Sequence, residues 1–245
     1  MWAIWESMKN FFLSVKTTVW MLIILICLFF IGSYMMPLHR EIFTSMNDAI
    51  LIRWLKHDAL SNIRYTWWFF AALAGLVLLT ANTIICSIQA IKERWVRSDF
   101  LIRIAPQIIH VGVLFILLAH LIDAGWGYRI SGVMPEGAYA PLPDDMAIHL
   151  DRVYVVTDKH GNIVDWRAEA SMYENNEIVT TGMLGPNNPL FARGVGVYLR
   201  NLDFDRGRVA YLTISKEPGV ITALVGAILF MIGAATLLVL KWKMA

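Results

Sequence analysis

The sequence predicts an integral membrane α-helical protein: four transmembrane helices, with an extracytoplasmic all-β domain (a sandwich or open barrel) between the third and the fourth. Three observations predict it. Of the 245 residues, 58% are hydrophobic and only 16% are charged, against about 45–50% and about 25% in a soluble domain. Four apolar runs reach the roughly 20 residues that a helix needs to cross a bilayer. The segment 125–216 then abandons that character for short β-branched and aromatic runs broken by turn signals.

The runs cover residues 17–36, 67–88, 104–124 and 219–240, and each is flanked by charge. The first reads as a span and not as a signal peptide. Its apolar core is too long, and Met35-Met36-Pro37-Leu38 is no small-residue cleavage site. Residues 1–16 carry Trp2, Trp5, Phe11 and Phe12 beside Lys9 and Lys16, a pattern for a helix lying on the inner membrane surface.

Lysine and arginine set the orientation. With the amino terminus inside, Lys9, Lys16, Lys92, Arg94, Arg97, Arg103, Lys241 and Lys243 fall on the inner side, against Glu6, Glu93 and Asp99. Both termini, the loop 89–103 and the tail 241–245 are therefore expected in the cytoplasm of a bacterial inner membrane, with 125–216 outside. The net charge of +2 is not gathered into a basic stripe, which argues against a nucleic-acid partner. Trp67, Trp68, Trp95, Trp126 and Trp242 sit near span ends, where an aromatic belt is expected.

The outer loop 37–66 spaces Phe43, Met46, Ile50, Trp54 and Leu55 as one face of an amphipathic helix, for the interface or for a docked partner. In the outer domain, Val153–Thr157, Ile163–Met172, Val195–Leu202 and Arg208–Ser215 read as strands, within a set of about six. Asp144-Asp145 follows Pro141-Leu142-Pro143 and reads as a loop, since adjacent residues of an extended chain do not converge on one atom. Asp123, at the outer end of the third span, could cap, pair with Arg129 or face a cavity.

Chemistry concentrates in two histidines. His110 and His120 both lie in the third span, and an ionisable residue within a span is a functional candidate by default. At 1.5 Å per residue they stand about 15 Å apart and roughly 80° around the helix, so they cannot share one iron. No other span holds a histidine. Facing histidines on separate helices are what a self-contained bis-histidine haem requires, so a haem at His110 would take its second ligand from another subunit. The competing reading is a neutral histidine hydrogen-bonded across the bundle. His39, His57, His149 and His160 lie outside the spans. Cys27 and Cys86 sit at different depths, belong to no CxxC or CxxCH pattern, and read as buried apolar residues. Phosphate loops, HExxH and GxSxG are absent, and no acid–base pair suggests an enzyme acting alone.

Several stretches, in order, resemble the ResB family, the smaller partner of System II cytochrome c assembly. They are His110-Val111-Gly112-Val113-Leu114-Phe115-Ile116-Leu117-Leu118; Gly125-Trp126-Gly127 with Pro135-Glu136-Gly137; Asn188-Pro189-Leu190 with Gly194 and Tyr198; and Lys216-Glu217-Pro218-Gly219. The outer domain here is shorter than is usual in that family. The resemblance implies a subunit that helps hold haem in the membrane and deliver it to apocytochrome c on the outer face. It implies haem b, transient or shared with a partner, with His110 as the axial-ligand candidate and His120 as the weaker one. It also implies a larger multi-span haem-handling membrane protein as partner. An electron-transfer anchor of a quinol-linked complex with a multihaem cytochrome, His110 and His120 each serving one haem, is the first alternative. A scaffold with two structural histidines is the second.

Overall fold

A computed structural model describes residues 11–48, 50–94, 100–160, 163–203 and 208–244. The elements run α1 (Val15–Leu38), α2 (Arg40–Asp48), α3 (Leu51–Trp54), a π-turn (Leu55–Ala59), α4 (Ile63–Arg94) and α5 (Phe100–Trp126). Eight strands follow, and α6 (Val220–Met244) closes the order. The chain divides into a helical unit and a β unit, the second formed by Asn47–Ile50 and Asp123–Pro218.

Within the helical unit, four helices are long and apolar enough to cross a membrane: Val15–Leu38, Ile63–Lys92, Ile104–Trp126 and Val220–Lys243. Only 11% of each apolar window is buried within the chain. Trp20, Phe30, Leu121, Ile221 and Leu238 are among the large side chains left exposed, as suits a surface solvated by lipid. The observed helices overrun the expected spans by two to six residues at most ends. Charged and polar turns continue the hydrogen-bond ladder that hydropathy alone does not register.

The α1–α4 hairpin is antiparallel with a seven-residue register. Thr18 meets Asn82; Gly75 lies under Leu25, and Gly32 under the ring of Trp68. Contacts repeating every seven residues are the signature of left-handed helix crossing. Helices α5 and α6 pack by the same device. A Cβ at Gly112 would lie 2.6 Å from Phe230 N and 2.7 Å from Gly226 O, and one at Gly233 would lie 2.9 Å from Ala105 O. Only glycine lets the two backbones come that close.

The loop 37–66 holds two short helices and the π-turn in place of one amphipathic helix. Its apolar residues are not a free face. Phe43 and Trp54 are buried, with ring centroids 5.7 Å apart, and Trp54 Nε1 donates to Ile42 O at 2.9 Å. Trp68 also departs from belt duty: it is buried against Gly32, Phe43 and Phe69. Trp67, Trp126 and Trp242 are exposed, as a belt requires. Trp2, Trp5 and Trp95, with most of the 1–16 segment, lie outside the described residues.

The β unit consists of two four-stranded antiparallel sheets, ordered β1-β8-β7-β6 and β2-β3-β4-β5. Here β1 is Tyr128–Pro135, β2 Tyr139–Pro141, β3 Met146–Thr157, β4 Ile163–Glu174, β5 Glu177–Leu184, β6 Leu190–Ala192, β7 Val195–Asp203 and β8 Val209–Lys216. One core joins them: Ile148, Leu150, Ala170, Met172 and Leu184 from one sheet, Val195, Val197, Ala210 and Leu212 from the other. That is the sandwich alternative, with Ile50 packed onto the same core. The two strands beyond the expected six, β2 and β6, have three residues each, too few for alternation to register. Among the described residues the register shifts at four points, and two of the extra residues are charged. Asp151 is the extra residue in β3, between Leu150 and Arg152. Arg200 is the extra residue in β7, between Leu199 and Asn201.

Candidate functional site

Helix α5 carries His110 toward α4, where Ser87 Oγ lies 3.1 Å from His110 Nδ1. Ser87 is buried. A serine in a helix interior can turn its hydroxyl to its own backbone or to a neighbouring side chain; here a side chain on another span lies against it. In the tautomer whose Nδ1–H donates to Ser87 Oγ, the lone pair of the neutral ring sits on Nε2; in the other, the serine donates to Nδ1 and Nε2 carries the proton. Among the described residues Nε2 has no hydrogen-bond partner. The first tautomer, with one ring nitrogen anchored and the other free to coordinate, is the one that metal-ligating histidines characteristically show.

Gln107 lies one turn before His110 and is buried, and its Oε1 accepts no hydrogen bond. A buried carbonyl left unpaired in hydrocarbon is costly. Gln107 thus adds a second buried polar side chain one turn from His110. On α4, Cys86 precedes Ser87 and points about 100° away around the helix. Its Sγ lies 3.1 Å from Phe12 O, and Asn82 on the same side donates its amide to Phe12 O and accepts from Thr18 Oγ1 at 3.1 Å. That second polar group closes the α1–α4 hairpin.

His120 is not brought to His110. It is exposed on α5 and makes no hydrogen bond among the described residues. His39 stacks on Tyr65 with ring centroids 4.0 Å apart, and the backbone carbonyl of His57 accepts from Ser61 Oγ. His160 sits in a turn with its N–H on Asp158 Oδ1. His149 belongs to a hydrogen-bonded chain in the β unit. Its Nδ1 lies 2.6 Å from Asp151 Oδ1, and Ser171 Oγ donates to Asp151 Oδ2 at 2.7 Å. Because the serine meets the carboxylate and not the imidazole, this is no nucleophile–base pair. Arg129 pairs with Glu217 at 2.9 Å, and Asp144 with Lys216 at 2.5 Å. Among the described residues no three histidine, cysteine or acidic side chains converge as a metal site.

Sequence reasoning missed Ser87 and Gln107. The available signal was their polarity within apolar runs. What could not be read was which neighbouring helix each faces.

A four-span helical unit with one anchored histidine, and a β sandwich between the third and fourth spans, is the architecture to be compared with known proteins. No protein-family model matches the chain. Two curated relatives do, both named cytochrome c biogenesis protein CcsB. The protein from Synechococcus sp. (strain JA-3-3Ab) is 23% identical over 126 residues, 47% of this chain and 26% of that one. The protein from Synechococcus sp. (strain JA-2-3B'a(2-13)) is 23% identical over 128 residues, 47% of this chain and 27% of that one. The chain thus spans about a quarter of the length of the curated relatives it matches. A solved structure, the cytochrome c heme lyase CcmF, aligns with 68% of this chain and 30% of that one at 15% identity, with a TM-score of 0.43.

Proposed function

We propose that this chain is a haem-handling subunit of cytochrome c assembly, similar in role to the ResB family. One observation carries the reading: Ser87 on a neighbouring span meets His110 at Nδ1, so that Nε2 is the ring nitrogen left for a ligand when Nδ1 holds the proton. The likeness to two cytochrome c biogenesis proteins supports it. The donor set fits a haem iron with one axial ligand from this chain, because no other span supplies a histidine. The second ligand would come from a larger multi-span partner. When bound, haem b supplies the iron centre and the macrocycle that is to be handed on. This chain's residues do the holding: Ser87 orients the imidazole, and the apolar helices keep water from the iron.

In this reading the β sandwich lies outside the cytoplasmic membrane, both termini lie inside, and apocytochrome c receives the haem on the outer face. The contribution is positioning, which alone can supply several kcal/mol of a reaction's barrier. The test is to purify the protein with its partner and record haem spectra for wild type and His110→Ala. Loss of the haem bands is expected; unchanged haem content overturns the ligand assignment.

The electron-transfer reading keeps one supporting feature. His120 is exposed on α5, so a haem it bound would lie outside this chain's own bundle. Redox titration of the purified complex decides, since that reading requires two b-type centres.

A further inference from the structure

The β unit contains a cleft of about 540 Å³ lined by Trp166, Gly185–Pro189, Tyr198, Leu199 and Arg200. Clefts of about 300–1,000 Å³ are the usual size for bound ligands. Arg200 shapes this one. Arg200 is the bulged residue of β7, and bulges re-aim a side chain out of the strand's alternation. Its Nε donates to Thr213 Oγ1 at 3.3 Å and its guanidinium carbon stands 5.7 Å from the centre of the Tyr198 ring. Among the described residues no carboxylate pairs with it, whereas Arg129, Arg167, Arg193 and Arg208 each have one. The unpaired guanidinium is therefore free to receive an anion, in the two-point fashion that favours carboxylates.

The rest of the wall adds aromatic and amide surface beside the guanidinium. Trp166 and Tyr198 present aromatic surface. Between Pro186 and Pro189 the turn is closed by the Gly185–Asn188 bridge, and Asn187 is held in the left-handed region at φ 59°. Asn188 Nδ2 donates to Met183 O, tying this rim to β5. The wall sets apolar groups (Pro186, Pro189 and Leu199) beside hydrogen-bonding ones (Asn187, Asn188 and Arg200), and a peptide offers both an apolar side chain and a carboxylate to such a wall. We propose that this cleft binds a short extended peptide segment bearing a carboxylate side chain, the carboxylate on Arg200 and an apolar neighbour against Trp166 and Tyr198. The proposal is independent of the haem reading.

The full chain, reconstituted in nanodiscs, is titrated by fluorescence anisotropy with a fluorescein-labelled peptide that carries one glutamate between leucines, and with its glutamine counterpart. Wild type is expected to prefer the glutamate peptide by about tenfold. Arg200→Gln should abolish that preference and Arg200→Lys should retain part of it. Arg129→Gln, at a guanidinium that already has a carboxylate, should leave it intact. Equal binding of the two peptides to wild type, or an undiminished preference in Arg200→Gln, overturns the proposal. So does full displacement of the peptide by equimolar glutarate, which would show that a bare carboxylate suffices. Haem spectra of the same preparations report separately on His110.

Discussion

The hydroxyl of Ser87 and the Nδ1 of His110 lie 3.1 Å apart across two spans of the helical unit. The contact holds the tilt of the ring and occupies Nδ1, which leaves Nε2 as the nitrogen turned away from Ser87. An anchored ligand pays less ordering entropy when it coordinates, and losing such an anchor typically costs about 10–100-fold in metal affinity. Ser87→Ala should therefore lower haem occupancy of the purified complex by about tenfold or more at limiting haem, while His110→Ala removes it. Pyridine haemochrome assay on matched preparations measures both. Equal occupancy in Ser87→Ala and wild type would leave the serine a packing residue only.

The closest approach of α5 and α6 predicts a second effect. At Gly112 a new Cβ would meet the backbone of Phe230 and Gly226, and backbone cannot move aside as a side chain does. Gly112→Leu should force the helices apart and cost roughly 1–3 kcal/mol, read as a lower melting midpoint in detergent. Gly132, where a Cβ meets nothing within 4 Å, serves as control: Gly132→Ala should leave the midpoint within about 0.5 kcal/mol of wild type.

How much of this was legible in the sequence follows from what each signal measures. Hydropathy averages over 20 residues, so the four spans stood out. β-branched and aromatic runs bounded by turn signals marked β3, β4, β7 and β8. It could not register β2 or β6, which are shorter than two full alternations. His110 was legible because an imidazole in hydrocarbon is costly and rare. Ser87 was not, because a span tolerates serine bonded to its own backbone. Trp68 misled because a tryptophan near a span end fits a belt and a helix interface equally well; only the facing Gly32 decides. The bulges at Asp151 and Arg200 leave no mark in composition, and they place the two polar features that distinguish the β unit.

Asp151 in its bulge receives both the His149 ring at 2.6 Å and the Ser171 hydroxyl at 2.7 Å, and Ser171 is buried. Removing the carboxylate strands that hydroxyl with Thr181 as its one remaining neighbour, at 3.0 Å. Asp151→Ala should destabilise the β unit by about 1.5–3 kcal/mol, and Asp151→Asn by less, since its amide oxygen can still accept. Chemical denaturation followed by far-ultraviolet circular dichroism checks the order. Equal losses for the two variants would show that the charge, and not the acceptor, matters.

Tyr128 opens β1 with its hydroxyl buried and without a hydrogen-bond partner. Burial, with the Asp144 carboxylate as the lesser cause, pushes its phenol up to about 12. In the unfolded chain it titrates near 10. The folded state thus keeps a proton that the unfolded state loses between those two values. Stability from this group is whole below about pH 10, falls as pH rises toward 12, and is constant above. The span of about 2 units corresponds to on the order of 2–3 kcal/mol. Tyr128→Phe should remove that slope. At neutral pH it should also stabilise the β unit slightly or leave it unchanged, because the hydroxyl it deletes is unpaired. Denaturation midpoints for wild type and variant between pH 8 and roughly 12 decide the matter. The two curves should diverge only above about pH 10, with the wild type falling faster; a constant offset across the range would mean that the Tyr128 phenol does not drive the alkaline loss.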